Sequence, residues 1–175
     1  FNGVHTPGNQ WVSPKNPYYM AKFPVARRDV ARARALIREA GVATPIPIDF
    51  MVPNNPESRA VAEVMQSMAA EAGFDLKIRV TEFATSLNEA EKGNFNLYFL
   101  AWSGRTDPDG NIFSFASCGG PLNYGKFCDK RVDELLTQAR TATTLSVRKT
   151  LYEQAAAEIL PRGGVIYLYH RTLLF

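Results

Sequence analysis

Two histidines, two cysteines, an acidic tract and a run of arginines are the features of this sequence that could support chemistry. His5 lies in an irregular opening stretch and His170 ends the last apolar segment. Neither has a second histidine or a glutamate at metal-ligand spacing, so each reads as an ordinary polar residue rather than a ligand or base. The tract Asp107-Pro108-Asp109-Gly110-Asn111 sets acids and an amide as the first half of a calcium loop would. The second half fails, because Ile112 stands where the loop needs glycine and Cys118 where it needs a bidentate glutamate. A structural reading is better: Asp107 as an N-cap, Pro108 at the first helical position, and a short helix toward Ala116. There is no nucleophile elbow, phosphate loop or dinucleotide-binding glycine motif. The chain is therefore not expected to be an enzyme, and no cofactor or metal is expected.

Cys118 and Cys128 sit in a loop rich in Gly, Asn and Pro. Two thiols cannot close a four-ligand zinc site. They are either two unrelated free thiols or one local disulfide, and a bridge would imply an oxidising compartment. Arg27, Arg28, Arg32, Arg34 and Arg38 form the basic cluster, yet the net charge is only +3. Ala26, Val30, Ala33, Ile37 and Ala40 recur at helical spacing and leave most of those arginines on a solvated face. No recognition motif accompanies the charge, so nucleic acid is not an expected partner.

The elements that must position these residues follow from periodicity. The composition, 46% hydrophobic and 21% charged, is that of a globular domain. No apolar run approaches the ~20 residues that span a bilayer. The sequence opens on Phe1 and reads as the middle of a longer polypeptide. Residues 1–24, with four prolines and two glycines, form an irregular leader or crossing segment expected to run over the surface. A helix is expected over 25–40 and stopped by Gly41, then an alternating strand from Ile46 to Val52. A helix follows Pro56, and a clear strand runs from Phe74 to Thr81. Ser86 can cap a short helix ending near Gly93. Phe95 to Trp102 is almost continuously apolar, as in a central strand buried on both faces. Two helices follow, carrying Val132, Leu135, Leu136 and Ala139, then Val147, Leu151, Ala155 and Ile159. Pro161, Gly163 and Gly164 break the second, and Val165–Tyr169 gives a last strand. The class is α/β, a mostly parallel sheet flanked by helices. Ligands in such sheets sit outside the carboxyl ends of the strands, which points to the loop beginning at Trp102.

That loop, Trp102-Ser103-Gly104-Arg105-Thr106-Asp107-Pro108-Asp109-Gly110-Asn111, resembles the signature loop of the family 5 extracellular solute-binding proteins of ABC importers, which include dipeptide-, oligopeptide- and nickel-binding members. Asn123-Tyr124, Val132-Asp133-Glu134-Leu135-Leu136, Ala139-Arg140, and Arg148 with Leu151-Tyr152 and Ala155 resemble the same family in order and spacing. So does Ala33-Arg34-Ala35-Leu36 through Ala40-Gly41. The resemblance implies a two-lobed periplasmic-binding-protein-like fold of type II, of which residues 25–175 would form most of the second lobe. It implies a disulfide between Cys118 and Cys128, a periplasmic location or the outer face of the cell membrane, and a monomer that captures a peptide or peptide-like solute. The partner would be a pair of membrane permease subunits. The alternative is a ligand-sensing domain of a membrane-associated signalling protein, since fold alone does not separate the two.

Ligand-binding candidates are Trp102, Arg105, Asp107, Asn123, Tyr124, Asn54 and Asn55. Trp102 is either a pocket wall or the last core residue of its strand. Peptide-binding members of the family commonly place an acid three residues after the loop tryptophan to hold the ligand α-ammonium, and Arg105 stands there instead. An ammonium facing a guanidinium would be left unpaired, a cost of several kcal/mol once buried. Dipeptide binders also carry an arginine near the end of the first strand, and Met51-Val52-Pro53-Asn54-Asn55 has none. A dipeptide with free termini is thus not the expected ligand. Arg105 either forks onto a carboxylate or phosphate of an anionic or amino-blocked solute or pairs internally with Asp107 or Asp109.

Overall fold

The computed structural model describes residues 3–172. Among them, Arg27–Trp102 gather in one compact unit, while the residues through Ala26 join those from Ser103 onward in another. In chain order the elements are β1 (Thr6–Pro7), α1 (Val30–Glu39), β2 (Ile46–Pro53), α2 (Pro56–Ala70), β3 (Phe74–Thr81), α3 (Phe83–Lys92), β4 (Leu97–Tyr98), α4 (Asp109–Ala116), α5 (Lys130–Thr141), α6 (Leu145–Arg162) and β5 (Tyr169–His170).

The unit from Arg27 to Trp102 is built on a parallel sheet ordered β3-β2-β4. Its middle strand is β2, and Phe50, Met51 and Val52 there are fully buried, as a strand covered on both faces requires. Ile46 pairs with Phe74 and the register runs without interruption to Pro53 opposite Thr81. Arg79 on β3 holds Asp49 on β2 at 2.6 Å, a pair that lies across adjacent strands. Each helix between strands begins at a side-chain cap. Asn55 accepts from Ser58 N at the start of α2, where Pro56 loses no bond by lacking an N–H. Glu82 accepts from Thr85 N at the start of α3, and Gly93 ends that helix in the left-handed region at φ +77°.

The other unit packs α4, α5 and α6 around Ile112, Leu135, Leu136, Tyr152 and Ile159, with Trp11, Val12 and Met20 in the same core. β1 and β5 pair antiparallel, Thr6 opposite His170. Gln10, itself fully buried, accepts from Met20 N at 3.0 Å and donates to Met20 O at 3.2 Å. A side-chain amide thus satisfies a buried peptide where no ladder reaches it.

Several expectations need correction. The opening segment is irregular but does not merely cross the surface, since Trp11, Val12 and Met20 are core residues. α1 starts at Val30, five residues later than expected, because Asp29 caps it through Arg32 N at 2.8 Å. Of its expected stripe only Ile37 is buried, while Ala26 and Ala40 are exposed. Ser86 is no cap; it lies buried inside α3, where its hydroxyl donates to Phe83 O and shares a 2.8 Å bond with Tyr98 Oη. The apolar run from Phe95 contributes only Leu97–Tyr98 to the ladder, with Phe99 N donating to Met51 O beyond it. The final strand is Tyr169–His170 rather than Val165–Tyr169, because its partner is the short β1.

Candidate ligand-binding site

The seven candidates fall in both units: Asn54, Asn55 and Trp102 in one, Arg105, Asp107, Asn123 and Tyr124 in the other. β2 delivers Asn54 and Asn55 at its carboxyl end. Asn54 is exposed and accepts from Arg59 Nη2 at 2.6 Å, and Asn55 is the α2 cap. Trp102 follows the β4 segment and is 40% exposed, so it does not complete the core of its strand.

Arg105 sits between Gly104, at φ +73°, and the first turn of α4. Its backbone is held at both ends by one side chain. Asn111 Oδ1 accepts from Arg105 N at 2.6 Å and Asn111 Nδ2 donates to Arg105 O at 2.7 Å. Asn111 is only 8% exposed, and the two bonds are partly buried. The arginine side chain is exposed, and its Nη1 donates to Ser103 Oγ and Gly104 O, each at 2.8 Å. Its stem passes over Gly110, where a β-carbon would stand 2.8 Å from Arg105 Cγ. Asn111 grips a residue six positions back, which no periodicity announces.

Asp107 is engaged elsewhere. Its two oxygens each accept from Arg148 at 2.7 Å, and Oδ1 also accepts from Asp109 N at 2.8 Å. It is not the expected N-cap but stands one residue before it, because α4 begins at Asp109 and Pro108 holds the cap position. Arg148 further donates to Ala139 O at 2.9 Å and to the Tyr18 and Tyr152 hydroxyls at 3.3 and 3.2 Å. The Arg148 bonds hold the Asp107 carboxyl below the usual carboxylate range, and the same contact raises the guanidinium. Burial outweighs the neighbouring charge at Tyr152 and pushes its hydroxyl up to about 12, so it stays neutral while it accepts from Arg148. Asp109 pairs with Arg140 at 3.1 Å, and that guanidinium lies 3.9 Å over the Phe113 ring. Both acids proposed as internal partners of Arg105 therefore have other arginines.

Cys118 and Cys128 form a disulfide with their Cα atoms 4.5 Å apart. Asn123 lies within the closed loop and is buried. Its amide nitrogen donates to Ser117 O at 2.9 Å and its oxygen accepts from Phe127 N at 3.0 Å. It shapes the loop that presents the half-buried Tyr124. His170 is packed against Gly8, and burial lowers its imidazole below its ordinary value. Among the described residues no group of three or more His, Cys, Asp or Glu could hold a metal ion. No helix among them is long and apolar enough to cross a membrane. Each unit taken by itself offers groups suited to non-covalent recognition: an exposed indole at Trp102 in one, and in the other an exposed guanidinium on a fixed backbone at Arg105.

Residues 1–123 match the family model described as bacterial extracellular solute-binding proteins, family 5 middle. The chain is 30% identical over 154 residues to the dipeptide-binding protein of Escherichia coli K12, covering 83% of this chain and 29% of that one. It is 30% identical over 180 residues to di/tripeptide-binding protein 1 of Pseudomonas aeruginosa UCBPP-PA14, covering 98% of this chain and 32% of that one. The chain thus spans about a third of the length of the curated relatives it matches. Among solved structures, a periplasmic binding protein of Helicobacter pylori in complex with the peptide STSA superposes with TM-score 0.85 at 22% identity, covering 96% of this chain and 34% of that one. A Staphylococcus aureus protein in complex with nickel and histidine superposes equally well, TM-score 0.85, at 17% identity, covering 96% of this chain and 37% of that one. These likenesses carry the fold: an α/β arrangement shared with two-lobed periplasmic binding proteins.

Proposed function

Because the chain belongs to the bacterial extracellular solute-binding proteins of family 5, we propose that it forms part of the solute-capturing component of an ABC importer. Residues 25–175 would serve mainly as the second lobe, closing with a first lobe over a peptide or peptide-like ligand. The closed form would dock on membrane permease subunits at the periplasmic or outer face of the membrane, with no covalent chemistry. Relatives named for dipeptides and tripeptides support the solute class.

The finer reading is that the ligand is anionic or amino-blocked. The observation that carries it is Arg105, whose exposed guanidinium rides on a backbone fixed at both its N–H and its carbonyl. A cation held there suits a carboxylate or phosphate and opposes a free α-ammonium. Trp102 would pack flat against the ligand, with Tyr124 and Asn54 as hydrogen-bonding contacts. Asp107, Asn123 and Asn55 would act through the loops and the helix they hold, since their polar atoms already serve those bonds.

Isothermal titration with a matched pair of probes tests this reading. The protein as its cell makes it should bind N-acetyl-dialanine at least about tenfold more tightly than dialanine, a difference of about 1.4 kcal/mol. Arg105→Met should erase the preference. Tighter binding of dialanine would contradict the anionic assignment.

A further inference from the structure

We infer that Asn111 and Gly110 are the positioning residues of Arg105, and, resting on the reading of Arg105 as the anion contact, that they set how strongly the site selects an anionic ligand. An exposed arginine ordinarily carries large rotamer freedom, which a ligand must freeze before it can use the guanidinium. Here Asn111 fixes the backbone from which the side chain departs, and the contact at Gly110 guides the stem. Asn111 closes on the Arg105 peptide as a neighbouring strand would, accepting from its N–H and donating to its carbonyl at 2.6 and 2.7 Å. An asparagine amide offers the donor and the acceptor side by side, which few other side chains of that length can do. Its burial places both bonds partly out of water, where each is stronger than at the open surface.

Gly110 acts on the side chain. A β-carbon at Gly110 would stand 2.8 Å from Arg105 Cγ and 3.0 Å from Arg105 Cβ, so only glycine lets the arginine stem lie against the first turn of α4. The stem then carries Nη1 to Ser103 Oγ and Gly104 O, each at 2.8 Å. The backbone of Gly110 is not in the left-handed region. Its glycine therefore answers to the arginine stem rather than to its own φ, and alanine there would be the better helix former.

That makes Gly110→Ala the decisive variant, because the added methyl meets the arginine stem while both Asn111 bonds keep their partners. The Arg105 Nε–Hε heteronuclear NOE reports the order of the side chain, and titration with N-acetyl-dialanine and dialanine reports selectivity. Gly110→Ala is expected to lower the Arg105 NOE toward that of a mobile side chain, and to shrink the preference for N-acetyl-dialanine about fivefold. Asn111→Ala should lower the NOE and the preference as well, with a loss of Tm. An Arg105 NOE unchanged in both variants would overturn the positioning role. An NOE that falls in both while the preference holds would support positioning and overturn Arg105 as the anion contact, so the two failures are distinguishable.

Discussion

Replacing Asp107 with alanine removes both carboxylate oxygens that Arg148 holds at 2.7 Å. The size of the effect follows from the unequal burial of the two partners. An exposed ion pair contributes about 0–1 kcal/mol, whereas stripping the partner from a buried charge costs about 3–5 kcal/mol. Arg148 is 15% exposed and Asp107 57%, so the pair lies between these limits. The orphaned guanidinium keeps Ala139 O and the hydroxyls of Tyr18 and Tyr152 as partners. The cost is thus that of lost hydrogen bonds to a charged group rather than of a bare buried charge, about 2 kcal/mol. At about 2–4 °C per kcal/mol for a chain of this size, Tm should fall by about 4–8 °C. Asp107→Asn, which keeps an acceptor for Asp109 N, should lose roughly half as much. The folded carboxyl is held below its unfolded value by the Arg148 bonds. Its stabilisation is therefore fully present above about pH 4 and lost as pH falls through the depressed folded value. Thermal melts of Asp107→Ala, Arg148→Met and the double variant between pH 2 and 7 are the assay, with a coupling of about 2 kcal/mol expected at neutral pH. A shift in Tm below about 1 °C for Asp107→Ala, or no coupling in the cycle, would refute the reasoning.

Cys118 and Cys128 close a loop of sequence separation 10. Opening it by Cys118→Ser with Cys128→Ser should cost about 2–3 kcal/mol on the chain-entropy model, read as a lower denaturant midpoint. Burial lowers the His170 imidazole. Its contribution to stability is thus present above about pH 6.5 and lost as pH falls through the folded value, so His170→Gln should flatten the slope of Tm between pH 7 and 5. Asn55→Ala removes the α2 cap and should cost about 1 kcal/mol of stability by chemical denaturation.

How legible the fold was depended on whether an element's signal is local. β3 is found at Phe74–Thr81, where apolar and polar residues alternate in the sequence. α2 was marked at its start by Pro56, with Asn55 before it. Val25 and Ala26 extend the apolar period of α1 beyond its true start, while the stronger local signal, Asp29 as cap, lies inside that run. The irregularity of residues 1–24 is legible in their prolines and glycines, but the burial of Trp11, Val12 and Met20 is not. The segment's packing rests on Gln10 binding the Met20 peptide, a contact across ten residues with no repeat. The site was half legible for the same reason. Arg105 declared itself as a charge where the family resemblance led one to expect the opposite sign. The grip of Asn111 on it, the alternative commitment of Asp107 to Arg148 across 41 residues, and the loop-shaping role of Asn123 are tertiary facts that no spacing encodes.

The central claim, a binding protein for an anionic or amino-blocked peptide-like solute, is most directly tested by native mass spectrometry of the protein purified gently from its own compartment. A single extra mass that leaves on unfolding, identified as a peptide-like compound with a net negative charge or a blocked amine, is the predicted result. An ordinary zwitterionic dipeptide as the bound mass would contradict the role given to Arg105.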